Sequence, residues 1–194
     1  MSDWIKEEWE LVQEALASKW TFLLFAAFTV IAAASGHVNT ALILLAFTFA
    51  ILSVIDMKHF ILPDILTIPG TLVGLIISPW LLEVTWESSM LGALVGAGAF
   101  SLLAAVFYVI RKKHGMGFGD IKLLALIGAW AGVGSLLPTL LIASFSALLF
   151  LPCRRLLQGK KMHQPIPFGP FLILGGWASL LYGNIFWLLL IEGL

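Results

Sequence analysis

Apolar runs of about helix-spanning length, separated by short polar or glycine-bearing stretches, fill most of this chain after its first nineteen residues. A helix needs about 20 apolar residues to cross the hydrocarbon core of a bilayer, with roughly 17 to 25 tolerated. By that measure the pattern predicts seven spans: Trp20–Gly36, Thr40–Ile55, Ile65–Leu82, Ser89–Ile110, Ile121–Ala131, Ser135–Leu151 and Phe171–Ile191. The fifth, "IKLLALIGAWA", makes only about 16 Å of helix, roughly half a bilayer core. A re-entrant pair formed by the fifth and sixth segments would leave six spans. Ahead of them, "MSDWIKEEWELVQEALASK" mixes Trp4, Leu11 and Ala15 with charges and lacks the charged, apolar, small-residue order of a signal peptide. It reads as a retained amphipathic helix over residues 1–19, cytoplasmic or interfacial. The expected fold is therefore an all-α integral membrane protein, with one polytopic helical domain over residues 20–194.

Composition sharpens this. At 60% hydrophobic and 11% charged residues, with mean hydropathy +1.02, the chain is far more apolar than a soluble domain. Its formal net charge of zero gives no basic surface of the kind nucleic acid requires. The eleven Lys and Arg residues fix an orientation. With the N-terminus inside, all of them (Lys6, Lys19, Lys58, Arg111, Lys112, Lys113, Lys122, Arg154, Arg155, Lys160 and Lys161) fall on the cytoplasmic side, as the positive-inside rule requires. The single cysteine, Cys153, provides neither an internal disulfide nor a CxxC metal knuckle. Trp80, Trp86, Trp130 and Trp187 lie near proposed span ends, where interfacial aromatics are expected.

In such a chain the informative residues are the ionisable ones near hydrocarbon, because each costs a few kcal/mol by insertion scales unless paired or hydrated. They are Asp56, Asp64, Asp120, Lys58 and Lys122. Asp56 ends the second span in "SVIDMKHFILPD", where a solvated carboxylate or a partner for Lys58 is the plain expectation. Asp64 follows Pro63 at the start of the third span and is expected to cap it. Asp120 opens the fifth span, and capping is again one account. Capping alone does not require Gly115, Gly117 and Gly119 in "GMGFGDIK". Alternating glycines permit unusual torsions and close approach of another chain segment, and the spacing matches neither phosphate-loop pattern.

Two carboxylates reaching one cavity from the second and fifth spans would act as an aspartic protease dyad. One takes a proton from water while the other, protonated, polarises the scissile carbonyl. No metal or nucleophilic side chain is then needed. The chain has no HExxH motif and no Ser or Cys with a plausible partnering histidine. His37, His59, His114 and His163 lie in or beside loops, where structural or solvated roles are expected.

Three blocks, "IDMKHFILPD", "GMGFGDIKLLALIGAW" and "IPFGPFLILGG", together resemble the bacterial type IV prepilin peptidases, membrane aspartyl proteases of the GxGD class. They stand in that family's order between Ile55 and Gly176. The resemblance implies Asp56 and Asp120 as the catalytic pair and Gly117 and Gly119 as the motif glycines. It adds Pro63, Asp64, Lys122 and the Pro167-Phe168-Gly169-Pro170 stretch as support for the motif and the substrate site. The last stretch is equally expected as a rigid helix entry, since proline suits a first turn.

The resemblance further implies cleavage of prepilin or pseudopilin leaders after a glycine, on the cytoplasmic side of the inner membrane. Longer members carry an extra N-terminal span and a zinc-binding CxxC insert, and they also methylate the new N-terminus with S-adenosylmethionine. This sequence resembles a short form without that insert, so no cofactor or metal is expected unless methylation is retained. The basic clusters are expected to anchor topology on anionic lipid headgroups. Glu7, Glu8, Glu10 and Glu14 are candidates to meet a basic leader. A transporter component with aspartates at helix ends and a non-catalytic assembly protein are the competing readings.

Overall fold

The computed structural model describes residues 3–36, 39–112, 117–158 and 166–192. All regular structure among them is helical. The amphipathic start is α1 (Asp3–Ala17), followed by α2 (Lys19–Ala34), α3 (Thr40–His59), α4 (Asp64–Leu81), α5 (Trp86–Arg111) and α6 (Phe118–Ala131). A 3₁₀ turn at Val133–Ser135 leads into α7 (Leu136–Gln158), and α8 (Gly169–Glu192) closes the fold. Each of the seven predicted spans coincides with one of α2–α8. Among the described residues, four segments, at 40–59, 64–81, 86–106 and 133–152, are long and apolar enough to cross a bilayer unaided. The helices α1 and α2 satisfy the same test only as a pair, bent by 71°. The protein is an integral membrane helical bundle.

Two helices form its interior. In α3, one continuous buried run extends from Phe49 to Asp56, so the helix has no polar face, as expected of a segment surrounded by others. In α6, eight of 14 residues are buried, from Ile121 to Trp130, under α4, α5 and α8. The rest of the bundle turns large side chains such as Leu72, Ile76, Leu94 and Leu148 outward, where lipid is the solvent.

Small residues let the helices meet. Gly92 and Gly96 of α5, one turn apart, lie against the backbone of Gly128 and Leu124 in α6, so closely that a Cβ at either would overlap a carbonyl. This is the small-xxx-small packing that replaces the hydrophobic drive between helices in lipid. Ser78 and Ser89 both donate to the Ala129 carbonyl, at 2.9 and 2.6 Å, in a fully buried position. The indole N–H of Trp130 donates to the Gly70 carbonyl at 2.8 Å. Trp130 is 2% exposed and packs against Gly74, which corrects its expected place in an interfacial belt. Trp80 and Trp86 do face outward.

Candidate functional site

Four helix ends converge on one face of the bundle: the C-terminus of α3 and the N-termini of α4, α6 and α8. The chain leaves α3 through Phe60, whose left-handed torsion (φ 57°) lets its N–H bond back to the Asp56 carbonyl at 3.0 Å. That closure places Asp56 in the last full turn. Its side chain is 6% exposed, and its Oδ2 accepts the backbone N–H of Gly169, the first residue of α8, at 3.0 Å. Asp56 is thus neither solvated nor paired with Lys58, contrary to expectation. Lys58 and His59 turn the other way, to Glu14 of α1, at 2.9 and 3.1 Å.

Asp120 is the third residue of α6. Gly117 holds the N-cap position with extended torsions and no side-chain cap, so Asp120 does not cap its helix. It is half-buried and within Coulombic range of Asp56. The two glycines differ in what they permit. A Cβ on Gly117 would make only ordinary contact, 3.6 Å from Asp120 Oδ2, and its φ of −70° suits any residue. A Cβ on Gly119 would press on Leu62 at 3.1 Å, so close approach rather than unusual torsion is what this position requires. Leu62 belongs to the α3–α4 connection, which therefore lies directly against the Gly119-Asp120 turn.

The third block completes the cluster. Phe168 offers its carbonyl to the N–H groups of Phe171 and Leu172, both at 3.1 Å, and packs on the core. Pro167 precedes it, while Pro170 occupies the first turn of α8, where a missing N–H costs nothing. Gly169 is buried so close to Asp56 that a Cβ would lie 2.5 Å from Oδ2 and 3.0 Å from Cγ. The stretch serves both as a rigid helix entry and as a wall of the Asp56 position.

Asp64 behaves differently from the reading of the sequence. It is the first residue of α4, behind Pro63 at the N-cap, and its carboxylate forms an ion pair with Lys122 of α6. The orphan N–H groups of Asp64 and Ile65 are instead accepted by the two carboxylate oxygens of Glu8 in α1, each at 3.0 Å. Asp64 is not a cap because its side chain is drawn across to a cation, and a foreign carboxylate takes its place. The Asp64–Lys122 pair is about one-third exposed on both sides, so Asp64→Asn is expected to cost only about 0.5–1 kcal/mol of stability. Thermal unfolding in detergent measures it.

Glu14, beside Lys58 and His59, has its carboxyl held below the ordinary 4.5, chiefly by the hydrogen bond and charge of Lys58. A lowered folded-state value means this contribution to α1 docking is fully present above pH 4.5 and is lost as pH falls through the depressed value. Acid titration of Trp4 and Trp9 fluorescence is expected to show a step below pH 4.5 that Glu14→Gln removes. With Glu8 and Glu14 committed within the protein, two of the four acids expected to await a basic leader are already engaged. Lys113, His114, Gly115, Lys160, Lys161, His37 and His163 lie outside the described residues.

Reading the sequence offered Glu8 only as one of four acids facing a basic leader and missed its role at α4, since nothing local marks a carboxylate that caps a helix 56 residues away. It also missed Gly92 and Gly96, although "GALVG" carries the signal of a small-residue contact.

The family described as type IV leader peptidases matches residues 42–151, which contain both aspartates. A prepilin leader peptidase/N-methyltransferase of Stutzerimonas stutzeri is 38% identical over 144 residues, covering 74% of this chain and 50% of that protein. Proteins of the same description from Dichelobacter nodosus and Aeromonas salmonicida are 38% and 34% identical, over 83% and 93% of this chain and 56% and 64% of their own lengths. The chain spans about half the length of several of the curated relatives it matches. No solved structure matches it. With the match extending over more than half of its residues, the chain belongs to the type IV leader peptidase family.

Proposed function

We propose that the protein is a membrane aspartic endopeptidase that removes the leader of prepilins or pseudopilins after a glycine, at the cytoplasmic face of the inner membrane, with Asp56 and Asp120 as its catalytic pair. The observation that carries this reading is the convergence of the helix ends that bear two carboxylates, one buried and one half-buried, with Gly169 against Asp56 and Leu62 of the α3–α4 connection against Gly119. Burying two acids together is costly, and groups held at such a cost cluster at functional sites.

One carboxylate takes a proton from water as the water oxygen bonds to the scissile carbonyl carbon. The other donates a proton to the carbonyl oxygen. Collapse of the resulting gem-diol breaks the C–N bond, and the amine leaves with a proton returned from the pair. The Gly169 N–H holds one oxygen of Asp56 in place. The site lies among helix ends on the side that carries Lys58 and Lys122, which supports a cytoplasmic orientation.

A second reading rests on the names of the relatives, which include N-methyltransferase. The cavity of about 730 Å³ lined by Asn39, Glu83, Thr85, Ser135 and Trp187 opens at the opposite end of the bundle from Asp56 and Asp120. Co-expression with a prepilin, followed by mass analysis of the product N-terminus, tests both readings together. A leader-free product is expected, a methyl group on its N-terminus would carry the second reading, and an intact prepilin would refute the peptidase assignment.

A further inference from the structure

We propose that Glu8 is a positioning residue for the Asp56–Asp120 pair, and that α1 acts through it as a clamp on the α3–α4 connection. The proposal rests on the peptidase reading for its effect on catalysis, but the contact itself can be tested without activity.

The two aspartates are brought together by helices whose ends meet at one short connection, residues 60–63. It begins four residues after Asp56 and ends immediately before Asp64, and its Leu62 presses against Gly119, the neighbour of Asp120. Whatever fixes this connection therefore fixes the approach of α3 to α6. The connection is poorly equipped to fix itself. Its last residue, Pro63, has no side-chain acceptor for the N-terminus of α4, and Asp64 has turned its carboxylate to Lys122. The first N–H groups of a helix have no partner within it and are expensive to leave unmade.

Glu8 supplies what is missing. Its two oxygens accept the N–H groups of Asp64 and Ile65, each at 3.0 Å, in a half-buried position. A carboxylate at a helix N-terminus also opposes the positive end of the helix dipole.

The rest of α1 is fastened to the other side of the same connection. Val12 and Ala15 are buried against Ile51, Val54 and Ile55, in the turns of α3 that carry Asp56. Glu14 holds Lys58 and His59, just before Phe60. The buried hydroxyl of Thr21 donates to the Ala15 carbonyl at 2.5 Å and fixes the bend between α1 and α2. The amphipathic helix thus grips the connection from before and after it. Glu8 is the only one of these contacts that reaches α4 by hydrogen bonds among those described.

A role in attracting a basic leader would make different demands. It would need carboxylate oxygens open to a visiting cation, and both oxygens of Glu8 are occupied. Glu7 and Glu10, on the exposed side of α1, are the acids available for that task. The two roles separate in the kinetics. Positioning acts on kcat, whereas charge attraction acts on KM and is shared by the exposed acids.

The test uses the full chain, purified in detergent, with a prepilin as substrate. Glu8→Ala is expected to lower kcat about 10-fold or more with KM within about 2-fold, since small misplacement of reacting groups is heavily penalised. Glu8→Gln keeps one acceptor and is expected to fall about 3-fold. The Glu7→Ala/Glu10→Ala double variant is expected to retain wild-type kcat. Amide exchange at Asp64 and Ile65 is expected to quicken about 10-fold in Glu8→Ala, because the opening of capped amides tracks the loss of their acceptor.

Unchanged kcat in Glu8→Ala, with exchange also unchanged, overturns the proposal. So does a loss confined to KM and reproduced by Glu7→Ala/Glu10→Ala. A wild-type chain that does not cleave prepilin overturns the peptidase reading instead, and the exchange result then still decides whether Glu8 holds the connection.

Discussion

Asp56→Asn and Asp120→Asn are each expected to reduce leader cleavage by about a thousandfold or more, the loss that removing one member of the proposed catalytic pair would bring. The amide is almost the same size as the carboxylate but cannot take a proton from water or pass one to a carbonyl oxygen. At position 56 an Asn oxygen still accepts the Gly169 N–H, which the structure places at 3.0 Å, so the turn of α8 against α3 is kept. At position 120 the substitution keeps the size and polarity of the side chain, so the fold is expected to be kept. Both variants are therefore expected in the membrane fraction at normal abundance, with unprocessed prepilin accumulating beside them. Immunoblotting of precursor and product, with the protein quantified in the same membranes, reads both halves of the result. Cleavage near the wild-type rate by either variant would dismiss the pair as the source of catalysis.

Gly169→Ala carries the second largest effect, about 100-fold in kcat. The added methyl would stand 2.5 Å from Asp56 Oδ2 and 3.0 Å from Cγ, distances that no packed carbon tolerates. Because Asp56 is short and 6% exposed, its carboxylate cannot swing clear as a long surface side chain would. Either the carboxylate leaves its position or α8 retreats from α3. Overpacking of this kind costs about 1–3 kcal/mol, so a lower unfolding midpoint is expected along with the kinetic loss. Gly98→Ala is the control: a Cβ there meets nothing within 4 Å, and helix propensity alone predicts slight stabilisation. Activity in Gly169→Ala equal to that of Gly98→Ala would show that Gly169 does not set the Asp56 position.

How much of this was legible in the sequence depends on the range of the interaction concerned. The seven apolar helices announced themselves because hydropathy summed over a membrane thickness is a property of consecutive residues. The amphipathic helix α1 was legible for the same reason, though its partner was not. Asp56 and Asp120 stood out because charge beside hydrocarbon is costly in any fold. The expectations attached to Asp64, Lys58 and Trp130 failed for one shared reason: each was judged from its own stretch of chain. Asp64 was read as a cap for its own helix, but Lys122 lies within reach once α6 packs beside α4. Lys58 was offered Asp56 two residues away, and the fold gave it Glu14. Trp130 was assigned to the interface by its place near a helix end, but Gly74 leaves room for the ring inside the bundle.

The sequence by itself determined that the chain enters a membrane as helices and which acids stand beside its apolar runs. These follow from transfer free energies of residues and short segments, and no neighbour is needed to evaluate them. Only the tertiary structure decided that the Gly169 N–H holds Asp56, that Leu62 abuts Gly119, and that Glu8 rather than Asp64 caps α4. Such contacts depend on directions and distances between elements far apart in the chain, and those exist only after the helices have packed.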